Sequence, residues 1–304
     1  MRPTTYVTGA SGFVGQHLVA ALLEGGHTDV VRAGRSSGHT SYGELVPTAL
    51  VSGSAVVHLA GKAHDLQGSA SMDEYDAANF QLTQRIYDAF RESNASTFIF
   101  LSSVKAVADD TLEPITEETV PRPTSAYGRS KLKAEEYIRN HPGQATQSVY
   151  VLRPCVIHGA GMKGNLRLLE RFVDSGVPYP LGAFENQRSL LSVENLVYVI
   201  RALLGRNAPS GVYNVADDEP LSTIAVVRLI AGEHGRSARV MKVNPALLTL
   251  LARLGDRMRL PLNSERLEKL TGNYVVSNEG IKAALGLERM PVSAREGLRR
   301  VCRP

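Results

Sequence analysis

Thr8-Gly9-Ala10-Ser11-Gly12-Phe13-Val14-Gly15 lies between the first strand-like run of the chain, Tyr6–Thr8, and its first stretch of helical spacing, Phe13–Leu23. Small residues in such a turn let backbone N–H groups approach a pyrophosphate, and the positive end of the following helix favours its charge. Gly15 permits close packing of the helix on the strand. The stretch therefore predicts a dinucleotide-binding turn near the start of the sequence.

The alternation of strand-like runs and helical stretches continues to about residue 155. Strand character recurs at Val30–Ala33, Ala55–Ala60, Thr97–Ser102 and Ser148–Leu152, and helical stretches lie at about Tyr75–Ser93 and at Ser125–Asn140. Short apolar runs between helices are typical of strands that are buried on both faces of a parallel sheet. The predicted fold is α/β, with a doubly wound parallel Rossmann sheet.

After residue 155 the character of the chain changes, because Gly- and Pro-rich loops separate the elements. Helices are predicted at Asn165–Ser175, Val193–Leu204, Thr223–Gly235 and Pro245–Gly255, and a strand at Gly211–Ala216. We expect a dinucleotide-binding domain at 1–157, which also receives about 190–215, and a smaller, mixed α/β substrate lobe made mainly of 158–304.

Composition restricts the class of protein. The 304 residues carry a net charge of +4 with scattered basic residues and no Trp for base stacking, so we expect no nucleic-acid partner. Cys155 and Cys302 are too few and too far apart for a disulfide framework or a metal cluster, and no metal is predicted. Without a signal-peptide pattern or an apolar run of about 18 residues, we expect a cytoplasmic protein with no membrane insertion.

One segment admits two interpretations. Pro245–Leu260 combines closely spaced leucines with Arg253, Arg257 and Arg259, as a helix that lies on a membrane surface does. A core helix with a solvated basic end has the same pattern, and we favour that interpretation.

The end of the second strand indicates which dinucleotide binds. An acidic residue there would hydrogen-bond the 2′-hydroxyl of the adenosine ribose and select NAD. The sequence instead has Gly34 at that position and Arg35 next to it. Because a guanidinium pairs bidentately with a 2′-phosphate, NADP(H) is favoured and NAD(H) is the alternative. Arg35 as a merely solvated loop arginine is the competing interpretation.

A candidate catalytic set follows the fourth strand-like run. Tyr127 and Lys131 are four residues apart on a predicted helix and so share one face, and Ser103 follows a strand whose carboxyl end should face the same crevice. Tyrosine, with an ordinary pKa of about 10, is a poor base at neutral pH, but a neighbouring ammonium group stabilises the phenolate. We predict that Ser103 holds the substrate oxygen while Tyr127 gives or takes its proton.

Several motifs together carry a resemblance to a known family. Besides the glycine-rich turn and the Ser/Tyr/Lys set, they are His58-Leu59-Ala60-Gly61, Asn79, Leu152-Arg153-Pro154, Arg188–Val193 and Gly211–Val215. With them the chain resembles the extended short-chain dehydrogenases/reductases that act on nucleotide sugars, typified by UDP-galactose 4-epimerase. The resemblance covers nearly the whole chain.

The resemblance implies which residues contact the cofactor. They are Gly9, Ser11, Gly12, Phe13, Val14, Gly15, Arg35, Leu59, Ala60, Gly61, Lys62, Asn79, Tyr127, Lys131, Pro154 and Val156. It also implies a homodimer that packs the helices near 75–93 and 125–140 of each subunit.

Three stretches are similar to one bacterial branch of the family, which includes 4-reductases of UDP-4-keto-6-deoxy-N-acetylhexosamines in surface-polysaccharide (O-antigen) synthesis. They are Ser102–Val107, Met162–Asn165 and Pro178–Gly182. By this resemblance Ser103, Lys105, Asn165 and Arg188 bind the substrate, the last two at its diphosphate. A helix N-cap at Asn165 and a surface ion pair at Arg188 are the alternatives.

The leading hypothesis is an NADP(H)-dependent reductase of the C4 keto group of a UDP- or dTDP-linked 4-keto-6-deoxy-hexose or N-acetylhexosamine. A UDP-sugar 4-epimerase with tightly bound NAD would use the same residues. A non-catalytic NADP-binding scaffold is the third hypothesis, although such proteins commonly lose members of the Ser/Tyr/Lys set. One departure from the family concerns the sheet, because we find no third strand between Arg35 and Val56.

Overall fold

A computed structural model describes residues 3–26, 28–63, 71–111, 113–162, 165–258 and 263–302. Its strands are β1 (Thr4–Thr8), β2 (Asp29–Ala33), β3 (Ala55–His58), β4 (Thr97–Leu101), β5 (Ser148–Pro154), β6 (Val156–His158), β7 (Leu190–Ser192) and β8 (Gly211–Val215). Its α-helices are α1 (Phe13–Gly25), α2 (Met72–Tyr75), α3 (Leu82–Arg91), α4 (Ala126–Asn140), α5 (Asn165–Asp174), α6 (Val193–Gly205), α7 (Thr223–Glu233), α8 (Pro245–Met258), α9 (Ser264–Thr271), α10 (Glu279–Leu285) and α11 (Ala294–Cys302). A π-helical segment, Asp76–Gln81, joins α2 to α3.

The main sheet has six strands in the order β2-β1-β3-β4-β5-β8, and every neighbouring pair is parallel. Successive side chains of a strand point to opposite faces of the sheet. On β3, Val57 belongs to the core that includes Leu18 of α1 and Leu196 of α6, whereas Val56 belongs to the core with Ile86 of α3 and Ile138 of α4. Helices cover both faces, and the predicted doubly wound parallel α/β fold is confirmed.

The sheet ends at β2, so the third strand that the sequence analysis could not find is absent from the described residues. Residues 34–54 instead contain short 3-10 turns at Tyr42–Glu44 and Pro47–Ala49. A single bridge remains: Thr40 pairs with Ala33, and its N–H donates to the carbonyl oxygen of Arg32 at 2.9 Å. The segment is too short to return to the sheet for a full strand.

Because all six strands are parallel, their carboxyl ends meet at one edge of the sheet. The segments that leave this edge are the glycine-rich turn after β1, Gly34-Arg35 after β2, residues 59–62 after β3, residues 102–105 after β4, and residues 155–156 after β5. These segments contain most of the predicted site residues, and the fold therefore assembles them in one crevice.

Beside the main sheet lies a second group of elements. β6 and β7 form a two-stranded parallel sheet, and helices α5, α7 and α11 pack around Leu190, Val226, Ile230 and Leu298. The sequence analysis predicted α5 to α8 but missed β6, β7 and the last three helices. Each of these two strands is three residues long, so it has no alternating pattern to detect.

The interpretation of 245–260 as a core helix is wrong for one face of α8. Leu248, Ala252 and Gly255 are buried, but five apolar side chains of the same helix are 44% to 66% exposed: Leu247, Leu250, Leu251, Leu254 and Met258. Arg259 lies outside the described residues. In the described part of the chain, no helix is both long enough and apolar enough to cross a membrane.

Candidate active site

The glycine-rich turn brings the backbone of β1 against the loop after β3. Gly9 has a φ of 68°, and a Cβ there would lie 2.8 Å from the amide nitrogen of Ala60. A Cβ at Gly15 would collide with the carbonyl oxygen of Gly9, so helix α1 needs glycine to start this close to the strand. Gly12 is the N-cap of α1, and no side chain of the described residues caps that helix end. This cradle of backbone N–H groups fits a dinucleotide pyrophosphate.

Arg35 lies at the edge of the crevice, after β2. Its side chain is exposed and forms no hydrogen bond or ion pair with the described residues. A Cβ at Gly34 would lie 3.0 Å from Nδ1 of His39, a buried nitrogen that lacks a hydrogen-bond partner in the part of the chain that the structure describes. A guanidinium and an unpaired imidazole nitrogen beside a small residue fit the 2′-phosphate of NADP(H). The sequence analysis missed His39, because only the turn geometry brings it next to Gly34.

Ser103 and Tyr127 are hydrogen-bonded through their hydroxyl groups. Ser103 caps the 3-10 turn Val104–Ala106, where its Oγ accepts from the Lys105 N–H at 3.2 Å. The turn lies against the start of α4, since a Cβ at Gly128 would collide with the carbonyl oxygen of Lys105. Burial raises the pKa of Tyr127, and the hydrogen bond from Ser103 offsets part of that rise. The phenol is therefore protonated at neutral pH.

Lys131 lies one turn further along α4 and is only 5% exposed. Its ammonium group donates to the carbonyl oxygen of Leu101 at 2.9 Å and lies 4.8 Å from the centre of the Phe100 ring. Burial lowers its pKa to about 8, while the nearby Glu135 carboxylate acts in the opposite direction. Lys131 thus remains mostly cationic at neutral pH and places its charge at the carboxyl end of β4.

Asn79 joins the loop after β3 to helix α4. Its Oδ1 accepts from the Lys62 N–H at 2.7 Å, and its Nδ2 donates to the Lys62 carbonyl at 3.1 Å and to Ser130 Oγ at 3.0 Å. A Cβ at Gly61 would lie 2.7 Å from Asn79 Oδ1 and 3.3 Å from Lys131 Nζ. Gly61 and Asn79 therefore lie next to Lys131, and their contact with the cofactor stays a prediction.

His58 connects the two sides of the crevice, a role that the sequence analysis did not predict. Its Nδ1 lies 2.7 Å from Thr8 Oγ1, which accepts from the Ala60 N–H, and its Nε2 lies 3.0 Å from Thr83 Oγ1, which donates to the Asn79 carbonyl. Burial, with a smaller contribution from Lys131, lowers the pKa of His58 to about 3. The ring is neutral, and this hydrogen-bonded chain fixes its Nε2–H tautomer.

The predicted substrate residues Lys105 and Arg188 share one neighbour, Tyr274. The Lys105 ammonium group lies 4.8 Å from the centre of the Tyr274 ring, and the Arg188 guanidinium carbon lies 5.9 Å from it. Burial raises the pKa of Tyr274, so its phenol stays neutral and donates to the Ala108 carbonyl at 2.7 Å. Lys105 Nζ also lies 3.6 Å from the Asp109 carboxylate, and the binding of substrate by Lys105 and Arg188 stays a prediction. Nothing in the sequence around Tyr274 indicated this position.

For the other predicted site residues, the structure gives fewer contacts. Pro154 ends β5, and Val156, two residues later, is 45% exposed at the same edge of the sheet. Arg188 also donates to the Gly272 carbonyl at 3.1 Å, and its role at the substrate stays a prediction. The side chain of Asn165 lies outside the described part of the chain, and its role stays a prediction.

Asp109 fixes the start of the helix that carries Tyr127. Its carboxylate accepts four hydrogen bonds of 2.8 Å, from the backbone N–H and the hydroxyl of both Thr124 and Ser125. Burial alone would raise the pKa of Asp109, but these bonds outweigh it and hold the pKa at about 2, against an ordinary 3.8. Ser125 in turn caps α4 through the Gly128 N–H. Asp109 is therefore a positioning residue.

We expect Asp109→Asn to lose about 2 kcal/mol of folding stability at neutral pH, because hydrogen bonds to the carboxylate favour its charged form. Since the pKa is depressed, this contribution is present above about pH 4 and disappears as the pH falls towards 2. Urea unfolding of both proteins along a pH series measures the difference, which should shrink with acid. The exposed neighbour Asp110 provides the control. If Asp110→Asn lowers the folding stability by as much, the four hydrogen bonds of Asp109 do not explain the loss.

Comparison with known proteins identifies the family. The model of the NAD dependent epimerase/dehydratase family matches residues 5–216. A UDP-glucose 4-epimerase of Vibrio cholerae is 28% identical over 98% of this chain and 94% of its own length. A GDP-6-deoxy-D-mannose reductase of Pseudomonas aeruginosa is 28% identical over 76% of this chain and 80% of its own length. The crystal structure of a UDP-N-acetylglucosamine 4-epimerase from Bacillus cereus superimposes with a TM-score of 0.77 at 22% identity, covering 99% of this chain and 95% of that one.

The chain therefore belongs to the NAD dependent epimerase/dehydratase family, and the resemblance to extended short-chain dehydrogenases/reductases is confirmed.

Proposed function

We propose that this protein is an NADP(H)-dependent reductase of the C4 keto group of a UDP- or dTDP-linked 4-keto-6-deoxy-hexose or N-acetylhexosamine. The observation that carries the proposal is the end of β2, where Gly34 stands at the position of the acidic residue, beside the exposed Arg35 and the unpartnered Nδ1 of His39. A reductase exchanges its cofactor at every turnover, and a 2′-phosphate site on an open edge suits that exchange. The cytoplasm and cell-surface polysaccharide synthesis are the proposed setting.

In the proposed reduction, each residue at the crevice would have its own role. When bound, the dinucleotide would supply the hydride that the sugar C4 accepts. Ser103 would hold the C4 oxygen by a hydrogen bond, and Tyr127 would protonate that oxygen as negative charge develops on it. Lys131 would stabilise the phenolate that remains, because an ammonium nearby favours the charged form. Asn165 and Arg188 would bind the diphosphate of the substrate, and Lys105 would also contact the substrate.

The protonation state of Tyr127 suits the proton donor of a reduction. Burial keeps the Tyr127 phenol protonated, which is the form that donates a proton to an alkoxide. Lys131, with a pKa of about 8, carries its charge at neutral pH without an added partner. Tyr127 and Lys131 are thus both protonated, as the transfer of a proton to the substrate oxygen requires.

Arg35→Ser should weaken NADPH binding by about tenfold or more and leave NADH binding within a few-fold, since only NADPH carries the 2′-phosphate. Titration of the emptied protein with each dinucleotide, followed by fluorescence, measures both affinities. Mass spectrometry of the dinucleotide that co-purifies with the protein adds an independent test. We expect loosely held NADP(H).

A matched control lies on β2, just before Arg35. Arg32 is also exposed, and Arg32→Ser removes the same charge three residues earlier. An equal loss of NADPH affinity in both variants would indicate a general effect of positive charge and not a contact with Arg35. Stoichiometric NAD that does not exchange would contradict the proposed cofactor and favour an epimerase.

A UDP-sugar 4-epimerase with tightly bound NAD is the second candidate function. The specific observation in its favour is the relative from Vibrio cholerae, which aligns with 98% of this chain and is named a UDP-glucose 4-epimerase. The same Ser103, Tyr127 and Lys131 would serve that reaction. A homodimer through α3 and α4 is proposed for either function.

A further inference from the structure

Helix α8 has two apolar faces, and only one of them packs against the protein. Leu248 and Ala252 join a core with Tyr179, Leu181 and Leu267. The other face consists of the five exposed side chains Leu247, Leu250, Leu251, Leu254 and Met258, here called the α8 stripe. The spacing i, i+3, i+4, i+7 and i+11 places all five within an arc of roughly 100°. Exposed apolar residues scattered singly are normal, but a continuous stripe marks an interaction site.

The two charged residues of α8 that border the stripe are both basic. Arg253 and Arg257 follow stripe residues by three positions and therefore lie along one of its borders. Three further basic residues, Arg236, Arg239 and Lys242, precede the helix, and residues 235–258 contain a single acidic residue, Asp256. Asp256 is on the far side of the helix, where its carboxylate accepts from the N–H and the hydroxyl of Ser264 at 2.9 and 2.6 Å.

From this arrangement we propose that α8 docks on an anionic lipid bilayer, with the α8 stripe in the interface and its arginines on lipid phosphates. Leucine and methionine on one face with arginine at the border are the features of a helix that lies in the plane of a membrane surface. Each basic residue near an anionic leaflet adds to the attraction, which salt screens. The helix docks without spanning the bilayer.

A second copy of the chain fits the stripe less well. Two stripes packed face to face and antiparallel would bring the Arg253 and Arg257 side chains of both copies to one seam. The single acidic residue of the segment is already bonded to Ser264 on the opposite side. Like charges at an interface without compensation oppose association, whereas lipid phosphates complement them. The proposal rests on α8 alone and is independent of the proposed reaction.

Vesicle flotation of the full chain tests the proposal. We expect binding to vesicles of equal parts phosphatidylcholine and phosphatidylglycerol, weaker binding to phosphatidylcholine alone, and loss of the difference at high salt. The double variant Leu250→Ser/Leu254→Ser should lower the partition coefficient by about tenfold or more, because it removes two apolar side chains from the interface. Both side chains are exposed, so the substitutions leave the buried face of α8 intact. Arg253→Gln/Arg257→Gln should remove most of the preference for phosphatidylglycerol.

The control is Leu23→Ser, a leucine of similar exposure, 51%, near the end of α1. It should bind vesicles like the wild type, and thermal unfolding should show that all variants remain folded. Wild-type protein that does not float with anionic vesicles would overturn the proposal, as would binding unchanged by the Leu250/Leu254 substitutions. A wild-type oligomer that these substitutions dissociate, without any vesicle binding, would overturn it in favour of a second copy.

Discussion

Tyr127→Phe should reduce the rate of ketosugar reduction by roughly a thousandfold while dinucleotide binding stays within a few-fold of the wild type. A positioned general acid contributes about 10²–10⁴ to a rate, and phenylalanine keeps the ring but has no proton to give. Ser103 would still hold the substrate oxygen, so the loss should fall on kcat rather than on KM. Steady-state kinetics with a nucleotide-linked 4-keto-6-deoxy sugar, together with NADPH titration, measure both quantities.

Helix α4 supplies a matched control for this variant. Tyr137 lies ten residues further along, and its hydroxyl donates to Asp88 at 2.8 Å, away from the crevice. Tyr137→Phe removes one hydroxyl from the same helix and should keep nearly full activity with some loss of stability. Undiminished turnover in Tyr127→Phe would exclude Tyr127 as the proton donor.

The second large effect is expected from the ion pair beneath the site. Arg153 of β5 binds the Glu135 carboxylate through Nε at 3.0 Å and through Nη2 at 2.6 Å, and the Ser102 hydroxyl donates to the same carboxylate. Both side chains are almost fully buried. Arg153→Met should lower the free energy of unfolding by about 3–5 kcal/mol, because it leaves a buried carboxylate without its cation.

The pH dependence and a double variant distinguish this cause from a packing defect. Without Arg153, burial would raise the pKa of Glu135, so the variant should regain stability relative to the wild type as the pH falls below neutral. The double variant Glu135→Gln/Arg153→Met has no charge to compensate and should recover much of the loss. Urea unfolding at several pH values tests both statements. A deficit that is independent of pH and equal in the double variant would contradict the electrostatic explanation.

The sheet could be predicted because local patterns determine it. Buried parallel strands require apolar runs such as Val56-Val57, and at Gly9 and Gly15 the space admits only glycine. The shortness of the segment after Arg35 left open whether a third strand was missing or distorted, and the described residues 34–54 contain short 3-10 turns instead. In the candidate site, the spacing of Tyr127 and Lys131 on one helix and the position of Ser103 after β4 were sufficient to bring them together.

The rest depends on contacts between distant parts of the chain. Tyr274 lies near Arg188 and Lys105 only because the segments that carry them, 86 and 169 residues earlier in the chain, fold against it. No local sequence pattern predicts these contacts. Likewise, the sequence shows an aspartate at 109 but not its four bonds to residues at the start of α4. The exposure of the α8 stripe was not predicted because apolar periodicity does not indicate whether an apolar face is buried or exposed.

The most direct test of the proposed reaction is the stoichiometry of the cofactor and the fate of its hydride. The protein is incubated with a UDP-linked 4-keto-6-deoxy-N-acetylhexosamine and NADPH that carries deuterium at C4. We expect one NADPH oxidised for each sugar reduced, with deuterium at C4 of the sugar product. Interconversion of UDP-sugars that differ at C4, with no net oxidation of NADPH and no deuterium transfer, would contradict a reductase and establish the epimerase.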